Sequence, residues 1–142
     1  MKPSLIAGLE SQFEFKIPEN KTIAYLFPEA AEFQQMPAVL ATGFMVGLIE
    51  WACIEAIKPH IDWPREQSVG VHVDFSHLAA TPPGLTVAVN TTLLNIEGRK
   101  LTFSIVAHDG VDTISRGTHQ RFIIDAPKFS AKVEAKARKA VQ

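Results

Sequence analysis

A single glutamate interrupts the most apolar stretch of the chain. The segment ATGFMVGLIEWA, residues 41–52, contains no other charged side chain, and Glu50 has apolar neighbours one helical turn away in both directions, Val46 and Ile54. Glutamate is rarely buried without a partner, and burial raises the pKa of a carboxyl group. A desolvated carboxylate suits a general base or a nucleophile, so Glu50 is the first candidate for chemistry. The alternative is a structural carboxylate that reaches solvent or pairs with Lys or Arg.

Thr42 precedes Glu50 by eight residues. On one continuous helix this spacing corresponds to about 12 Å of rise and about 80° of rotation, so the two side chains would not touch directly. They could still bracket a substrate or meet through a second protomer. Thr42 also fits a helix N-cap, and the free N–H groups and positive dipole end of a helix suit a developing oxyanion.

The other nucleophile and base candidates are less specific. Cys53, the only cysteine, follows Glu50 by one turn in apolar surroundings, where a free cysteine usually acts as a small hydrophobic residue. The residue pattern does not choose among the five histidines, which are His60, His72, His77, His108 and His119. Metal and nucleotide chemistry have no support, since metal-ligand spacings and phosphate-binding glycine loops are lacking.

Composition limits the class of protein. The chain has 142 residues, 46% hydrophobic and 20% charged, which favours one folded domain over residues 1–142. The net charge of −1 argues against a dedicated nucleic-acid partner. The N-terminal segment lacks the apolar core of a signal peptide, and no apolar run is long enough to span a bilayer. With a single cysteine, these features predict a cytoplasmic protein that does not insert into membranes.

Hydrophobic periodicity predicts the elements that position these residues. Residues 13–17 alternate as in a strand, and residues 21–37 indicate short helical turns or a covering loop. Residues 38–58 are rich in helix formers and apolar on nearly all sides, which is typical of a buried helix, and Pro59 ends it. Period-two patterns then predict four strands, at residues 68–79, 85–94, 101–107 and 113–124.

These elements predict an α+β architecture. In the first strand after the helix, Val69, Val71, Val73 and Phe75 are expected on one face. Tight turns at Glu97-Gly98 and Asp109-Gly110 make the last three strands an antiparallel meander. The Lys- and Ala-rich residues 128–141 predict an exposed helix.

A helix that is apolar on all sides needs a sheet that curves around it. A long buried helix wrapped by a curved antiparallel sheet is the hotdog fold. A single sheet of this kind leaves open edges and an incompletely covered helix. We therefore expect a homodimer.

Six segments of the chain match one known family in order and spacing. They are NKTIAYLFPEAAEF, ATGFMVGLIEWACIEAI, SHLAATPPGLTV, AHDGVD, GTHQR and KFSAKV, and together they extend from about residue 20 to residue 133. On these segments the chain resembles the fluoroacetyl-CoA thioesterase family of hotdog-fold enzymes. The resemblance implies a homodimeric hydrolase of acyl-CoA thioesters. It implies no separate cofactor and no metal, because coenzyme A is part of the substrate.

The resemblance also implies a catalytic set of a threonine, a glutamate and a histidine. These fall on Thr42 in ATGFMVG, Glu50 in GLIEWA and His77 in SHLAATPPG, so the resemblance selects one of the five histidines. It further places Gly70 near the thioester carbonyl and Arg121, in GTHQR, near the acyl group.

One region departs from the family pattern. The fluoroacetate-specific member closes its pocket with a lid that carries paired phenylalanines, whereas here the region reads EFQQM, with Phe33 kept and Met36 in the second place. Methionine is more flexible than phenylalanine, so the change bears on water exclusion and on discrimination for fluorine. His72, on the strand of Gly70, would change the acyl preference if its side chain pointed into the pocket.

The expected reaction is hydrolysis of a short acyl-CoA thioester. Glu50 would attack the carbonyl or deprotonate the attacking water, and His77 would assist proton transfer. Thr42, nearby N–H groups and Gly70 would stabilise the oxyanion, while Arg121 would shape or polarise the acyl end. Two alternatives stay open, a hotdog enoyl-CoA hydratase or dehydratase and a non-catalytic acyl-CoA binding module. Candidates for the CoA phosphates are Arg65, Arg99, Lys100 and the lysines of the tail.

Overall fold

Residues 1–141, which the computed structural model describes, form five strands and three α-helices. Their bounds are β1 Glu10–Lys16, α1 Ala31–Gln34, α2 Thr42–Ile57, β2 Glu66–Phe75, β3 Thr86–Glu97, β4 Lys100–His108, β5 Thr113–Asp125 and α3 Ala126–Ala140. Two 3-10 turns, Glu19–Lys21 and Ile23–Tyr25, lie between β1 and α1. The predicted order of a strand, short turns, a long helix, four strands and a terminal helix is confirmed.

The strands form one antiparallel sheet in the order β1-β3-β4-β5-β2. β3, β4 and β5 are the predicted meander. Gly98 and Gly110 occupy the two turns with φ values of 64° and 90°, a region that L-residues with a side chain rarely adopt. β2, which comes directly after the long helix, pairs with β5, so β1 and β2 are the edges of the sheet.

Helix α2 buries one side against this sheet. Its buried residues are Met45, Leu48, Ile49, Ala52, Cys53 and Ile57. They join a core whose sheet members include Leu101, Phe103 and Ile105, each fully buried. A buried side chain of this size contributes about 1.5–3 kcal/mol. The other side of α2 is only partly covered: Trp51 packs against Phe13 of β1 and is still 44% exposed, so the predicted burial of the helix is confirmed for one side only.

Helix α2 begins at Thr42, four residues after the predicted start. The N–H of Leu40 donates to the carbonyl of Thr81 at 2.8 Å, and the N–H of Ala41 donates to the carbonyl of Lys21 at 3.1 Å. These bonds hold Ala41 extended, with φ −68° and ψ 141°, which makes it the N-cap. Thr42 is the first helical residue, so the assignment of Thr42 as N-cap is wrong.

A β-bulge divides strand β2. The register with β5 shifts between Gly70, which pairs with Arg121, and His72. Residues that pair across two strands point to the same face of the sheet. Val73 pairs with His119. His119 and Arg121 are two residues apart on β5 and therefore share one face. The bulge therefore brings Val73 to the face of Gly70, and the prediction that four alternating apolar residues of this strand share one face is wrong.

Helix α3 begins two residues before its predicted start. Asp125 is its N-cap and accepts a hydrogen bond from the N–H of Lys128 at 3.1 Å. None of its residues is buried. Across residues 1–141, no helix has the length and apolarity needed to cross a membrane. Residue 142 of the predicted domain lies outside the described residues.

Candidate active site

Helix α2 and strand β2 bring the predicted site residues into two contacts. A Cβ atom added to Gly70 would lie 2.9 Å from Oε2 of Glu50, so the strand passes directly against this carboxylate. Further along, Oγ1 of Thr42 lies 2.8 Å from Nδ1 of His77, just beyond the end of β2. The helix and the strand therefore run antiparallel side by side. We call this boundary, defined by Thr42, Glu50, Gly70 and His77, the α2–β2 seam.

Arg121 is the partner of Glu50. Its Nη1 donates to Oε2 of Glu50 at 2.8 Å, and the side chain of Arg121 is 3% exposed against 37% for Glu50. Nε of Arg121 donates to Oγ of Ser68, and Nη2 donates to the carbonyl of Ser68, both at 2.8 Å. Glu50 was expected to be a desolvated carboxylate in apolar surroundings. In the single chain it is instead partly exposed and ion-paired with a buried, rigidly held guanidinium.

His119 completes this group, and its hydrogen bonds define its tautomer. The ring is fully buried, with Nε2 3.1 Å from Nη1 of Arg121 and Nδ1 2.7 Å from the carbonyl oxygen of His72. A guanidinium only donates and a carbonyl only accepts, so Nδ1 carries the hydrogen and Nε2 the lone pair. Burial, assisted by the charge of Arg121, lowers the pKa of His119 despite the opposing bond to His72. The ring is therefore neutral at neutral pH.

The sequence interpretation did not single out His119. A usable signal was present, because His119 and Arg121 are two residues apart on a strand and therefore share one face. Once Arg121 was assigned to the acyl pocket, His119 had to point in the same direction.

Thr42 and His77 form the second contact of the seam. Nε2 of His77 is buried and, within residues 1–141, has no hydrogen-bond partner. A buried polar group without a partner costs about 1–3 kcal/mol. Burial also lowers the pKa of His77, which favours the neutral ring. A neutral imidazole with one unsatisfied nitrogen can exchange a proton with a ligand that enters the seam.

The two contacts of the seam stay separate within one chain. Thr42 and Glu50 lie about 12 Å apart along α2, because eight residues separate them. In the described part of the chain, no hydrogen bond joins the Thr42–His77 pair to the group of Glu50, Arg121 and His119. A single substrate must therefore extend along the helix, or a second protomer must bring the two contacts together.

The segment that carries Phe33 and Met36 follows a turn that contacts the beginning of α2. The side chain of Leu26 approaches within 3.0 Å of where a Cβ of Gly43 would lie, so the turn before α1 packs against the first turn of α2. Phe33, on α1, packs against Phe27 with ring centroids 6.4 Å apart. Met36 is 47% exposed. The turn that leads into the predicted lid segment thus lies at the Thr42 end of the seam.

Comparison with known proteins identifies the family. A family model described as fluoroacetyl-CoA-specific thioesterase matches residues 25–127. A fluoroacetyl-CoA thioesterase from Streptantibioticus cattleyicolor is 48% identical over 136 residues, which cover 96% of this chain and 97% of that protein. This chain belongs to the fluoroacetyl-CoA-specific thioesterase family. The resemblance found in the six sequence segments is therefore confirmed.

Solved structures support the predicted fold of this thioesterase family member. A variant of a fluoroacetyl-CoA thioesterase in complex with fluoroacetate matches with a TM-score of 0.90 at 48% identity, over 93% of this chain and 98% of that chain. A hot-dog-like protein from Thermanaerovibrio acidaminovorans matches with a TM-score of 0.75 at 17% identity, over 95% of this chain and 93% of that chain. The second likeness concerns the fold alone, and it confirms the hotdog arrangement of sheet and helix.

All seven predicted site residues lie within the region that the thioesterase family model matches. They are Phe33, Met36, Thr42, Glu50, Gly70, His77 and Arg121. Their individual roles stay predictions.

Two further residues of this thioesterase family member, Cys53 and His72, make no side-chain hydrogen bond within residues 1–141. Cys53 is fully buried, and burial raises the pKa of its thiol to about 12, so the thiolate is absent at neutral pH. The side chain of His72 is exposed, and its backbone carbonyl is what reaches His119. His72 therefore contributes its backbone, not its imidazole, to the group around Glu50.

Proposed function

We propose that this protein hydrolyses short acyl-CoA thioesters to the free acid and coenzyme A. The observation that carries the proposal is the carboxylate of Glu50. Its Oε2 is held by the buried Arg121, while its Oε1 makes no hydrogen bond within residues 1–141. The adjacent Gly70 has no side chain, which allows the carboxylate to lie directly against strand β2. Membership of a family whose relative is a fluoroacetyl-CoA thioesterase supports the same class of reaction.

Glu50 has two routes to hydrolysis. In the first, Oε1 attacks the thioester carbonyl, the C–S bond breaks, and water then hydrolyses the mixed anhydride. In the second, Oε1 takes a proton from a water molecule that attacks the same carbonyl. Both routes need a carboxylate oxygen that is held in place and has no other partner, and the ion pair through Oε2 leaves Oε1 in that condition.

The Thr42–His77 pair is suited to the departing sulfur. If the hydroxyl of Thr42 donates to Nδ1 of His77, the hydrogen of the neutral ring lies on Nε2, the nitrogen without a partner. That hydrogen can be transferred to the thiolate of coenzyme A as it leaves. The N–H groups of the first turn of α2 have no acceptor within the helix, so they can stabilise the oxyanion.

The acyl group is proposed to lie between Gly70 and the lid segment. The backbone of Gly70 would lie near the carbonyl, and Phe33 with Met36 would cover the acyl end. Arg121 is almost completely engaged by Ser68, Glu50 and His119, which supports a role in holding Glu50 more than one in direct contact with the acyl group.

A homodimer is part of the proposal. Edge strand β1 exposes mostly charged and polar side chains, Glu10, Gln12, Glu14 and Lys16, which protect an edge from pairing. Edge strand β2 instead exposes Val71 and Val73, at 52% and 46%, and the partly covered side of α2 exposes Trp51. A second copy that covers β2 and α2 would bury these apolar groups. It would also allow the Thr42–His77 pair of one protomer to approach Glu50 of its partner.

Release of free thiol tests the proposed reaction. The purified protein is incubated with acetyl-, fluoroacetyl-, propionyl- and longer acyl-CoA, and a thiol reagent reports coenzyme A as it forms. Hydrolysis releases the thiol, whereas hydration of an enoyl-CoA or binding without turnover does not. If no acyl-CoA in this series yields thiol above the rate measured without protein, hydrolysis is not the function.

A further inference from the structure

We infer that His119 is a positioning residue for catalysis, holding Arg121 so that only one oxygen of Glu50 is bound and the other stays available to react. This inference rests on the proposed thioester hydrolysis. His119 does not touch the reacting atoms in this scheme. It acts through Arg121, whose Nη1 lies between Nε2 of His119, at 3.1 Å, and Oε2 of Glu50, at 2.8 Å.

A neutral imidazole suits the acceptor position beside Arg121 better than a charged or an apolar side chain. Nη1 of Arg121 carries two hydrogens in a fixed planar fork, one for Glu50 and one for His119. A second carboxylate at position 119 would compete with Glu50 for the positive charge. An apolar side chain would leave a buried N–H without a partner. A neutral imidazole provides a lone pair without a charge, so Arg121 remains satisfied and its charge remains directed at Glu50.

The position of His119 is itself defined from three sides. Its Nδ1–H donates to the carbonyl of His72, the residue directly after the bulge of β2. The ring of Phe75 meets it edge-on, with centroids 6.1 Å apart and an interplanar angle of 82°. Cε1 of His119 lies 3.4 Å from where a Cβ of Gly70 would be. The bulge thus directs the carbonyl of His72 at His119. His119 in turn holds Arg121, and Arg121 holds Glu50.

Loss of the acceptor at position 119 has a specific consequence. The second hydrogen of Nη1 would have no partner in a buried site, and Oε1 of Glu50, on the same carboxylate as Oε2, is an acceptor that it can turn to. A guanidinium that turns to bind both oxygens of the carboxylate would form the favourable bidentate pair. The oxygen needed for attack or for proton removal would then be occupied. The rate of the chemical step would fall, while substrate binding would change little.

Two variants of similar size separate this role from simple packing. In His119→Gln the side-chain oxygen reaches the position of Nε2 and can accept from Arg121. In His119→Asn the shorter amide can still donate to the carbonyl of His72 but does not reach Arg121. We expect His119→Asn to lower kcat by about 10- to 100-fold, as a misplaced catalytic group does. We expect KM within about 3-fold of the wild-type value, and recovery of most of the activity in His119→Gln.

The result that overturns the inference is equally specific. If folded His119→Asn retains the wild-type kcat, or if His119→Gln loses as much activity as His119→Asn, the hydrogen bond to Arg121 does not position Glu50. Thermal unfolding of both variants, followed by circular dichroism, shows whether a loss of rate comes from a loss of fold.

A measurement on the wild-type protein decides the matter without turnover or substitution. Long-range proton–nitrogen correlation spectra report which ring nitrogen of a histidine is protonated. We expect His119 as the neutral tautomer with hydrogen on Nδ1; hydrogen on Nε2, or on both nitrogens at neutral pH, overturns the inference. The proposed function fails separately, if the wild-type protein releases no thiol from any acyl-CoA. In that case the catalytic role of His119 falls with the function, and the tautomer tests only the hydrogen bond between His119 and Arg121.

Discussion

The Gly70→Ala substitution places one methyl group against the proposed reactive carboxylate. The new Cβ would lie 2.9 Å from Oε2 of Glu50, whereas ordinary van der Waals contact begins near 3.4 Å. Arg121 and His119 lie at 3.4 Å from the same point, so they are in contact but not displaced. The end of the partly exposed Glu50 side chain must therefore withdraw, by about 0.5 Å. Such a movement strains the 2.8 Å hydrogen bond between Glu50 and Arg121.

The size of the effect follows from that hydrogen bond. A hydrogen bond to a charged group contributes about 1.5–3 kcal/mol net. At about 1.36 kcal/mol for each factor of ten in rate, its loss corresponds to about a 10- to 150-fold decrease in kcat. The protein should still fold, with a decrease in the free energy of unfolding of no more than the about 1.5–3 kcal/mol of that hydrogen bond, because only a flexible side-chain end has to move.

Steady-state kinetics of thiol release measure this effect for the best substrate of the acyl-CoA series. Denaturant unfolding of the same preparation confirms that the variant is folded. If folded Gly70→Ala keeps kcat and KM within about 2-fold of the wild-type values, Glu50 does not act from the position seen in the structure. The reasoning about the α2–β2 seam would then be refuted.

Further substitutions and conditions test separate parts of the proposal. Glu50→Gln keeps the shape of the side chain and removes its charge, so we expect a loss of most turnover, by about 1,000-fold or more, with an unchanged circular dichroism spectrum; turnover at the wild-type rate excludes Glu50 as base or nucleophile. Met36→Phe replaces a flexible lid residue with a stiffer one, and we expect a narrower range of hydrolysed acyl groups; an unchanged substrate profile argues against a lid at this position. Val73→Asp puts a charge on the exposed apolar edge strand, and light scattering after size exclusion should show a monomer in place of a dimer; a wild-type monomer would contradict the dimer itself. The pKa values of His77 and His119 are lowered in the folded protein. Below about pH 6.5 the unfolded chain therefore binds more protons than the folded one. We expect the free energy of unfolding to decrease as the pH falls through that value. A melting temperature that stays constant from pH 7.5 to about pH 5 would contradict the neutral buried rings.

The order of the elements was predictable because it depends on local patterns. Alternation of apolar and polar residues over 85–94 and 101–107 identifies strands without reference to the rest of the fold. Gly98 and Gly110 identify the turns between strands, because those turns need a positive φ. The apolar density of residues 38–58 similarly indicates a buried helix. These signals act over a few residues and do not depend on distant partners.

The errors occur where distant partners decide the local structure. Thr42 was assigned as N-cap, but hydrogen bonds from Leu40 to Thr81 and from Ala41 to Lys21 hold the preceding residues extended and move the cap to Ala41. The alternating pattern of β2 was assumed to be continuous, but pairing with β5 introduces a bulge after Gly70. Neither contact can be read from the residues next to it, because the partners lie tens of residues away.

The sequence by itself determined which residue types are available for chemistry, the succession of strands and helices, and, through its motifs, the family. It also showed that Glu50 lies among apolar residues, where a carboxylate is rare without a partner or a function. Only the tertiary structure showed that the partner of Glu50 is Arg121. Arg121 lies 71 positions further along the chain, and the antiparallel pairing of β2 with β5 is what brings it, with His119, against Glu50. Ion pairs and tautomers depend on distances of a few ångströms between such remote residues, and the folded chain alone sets those distances.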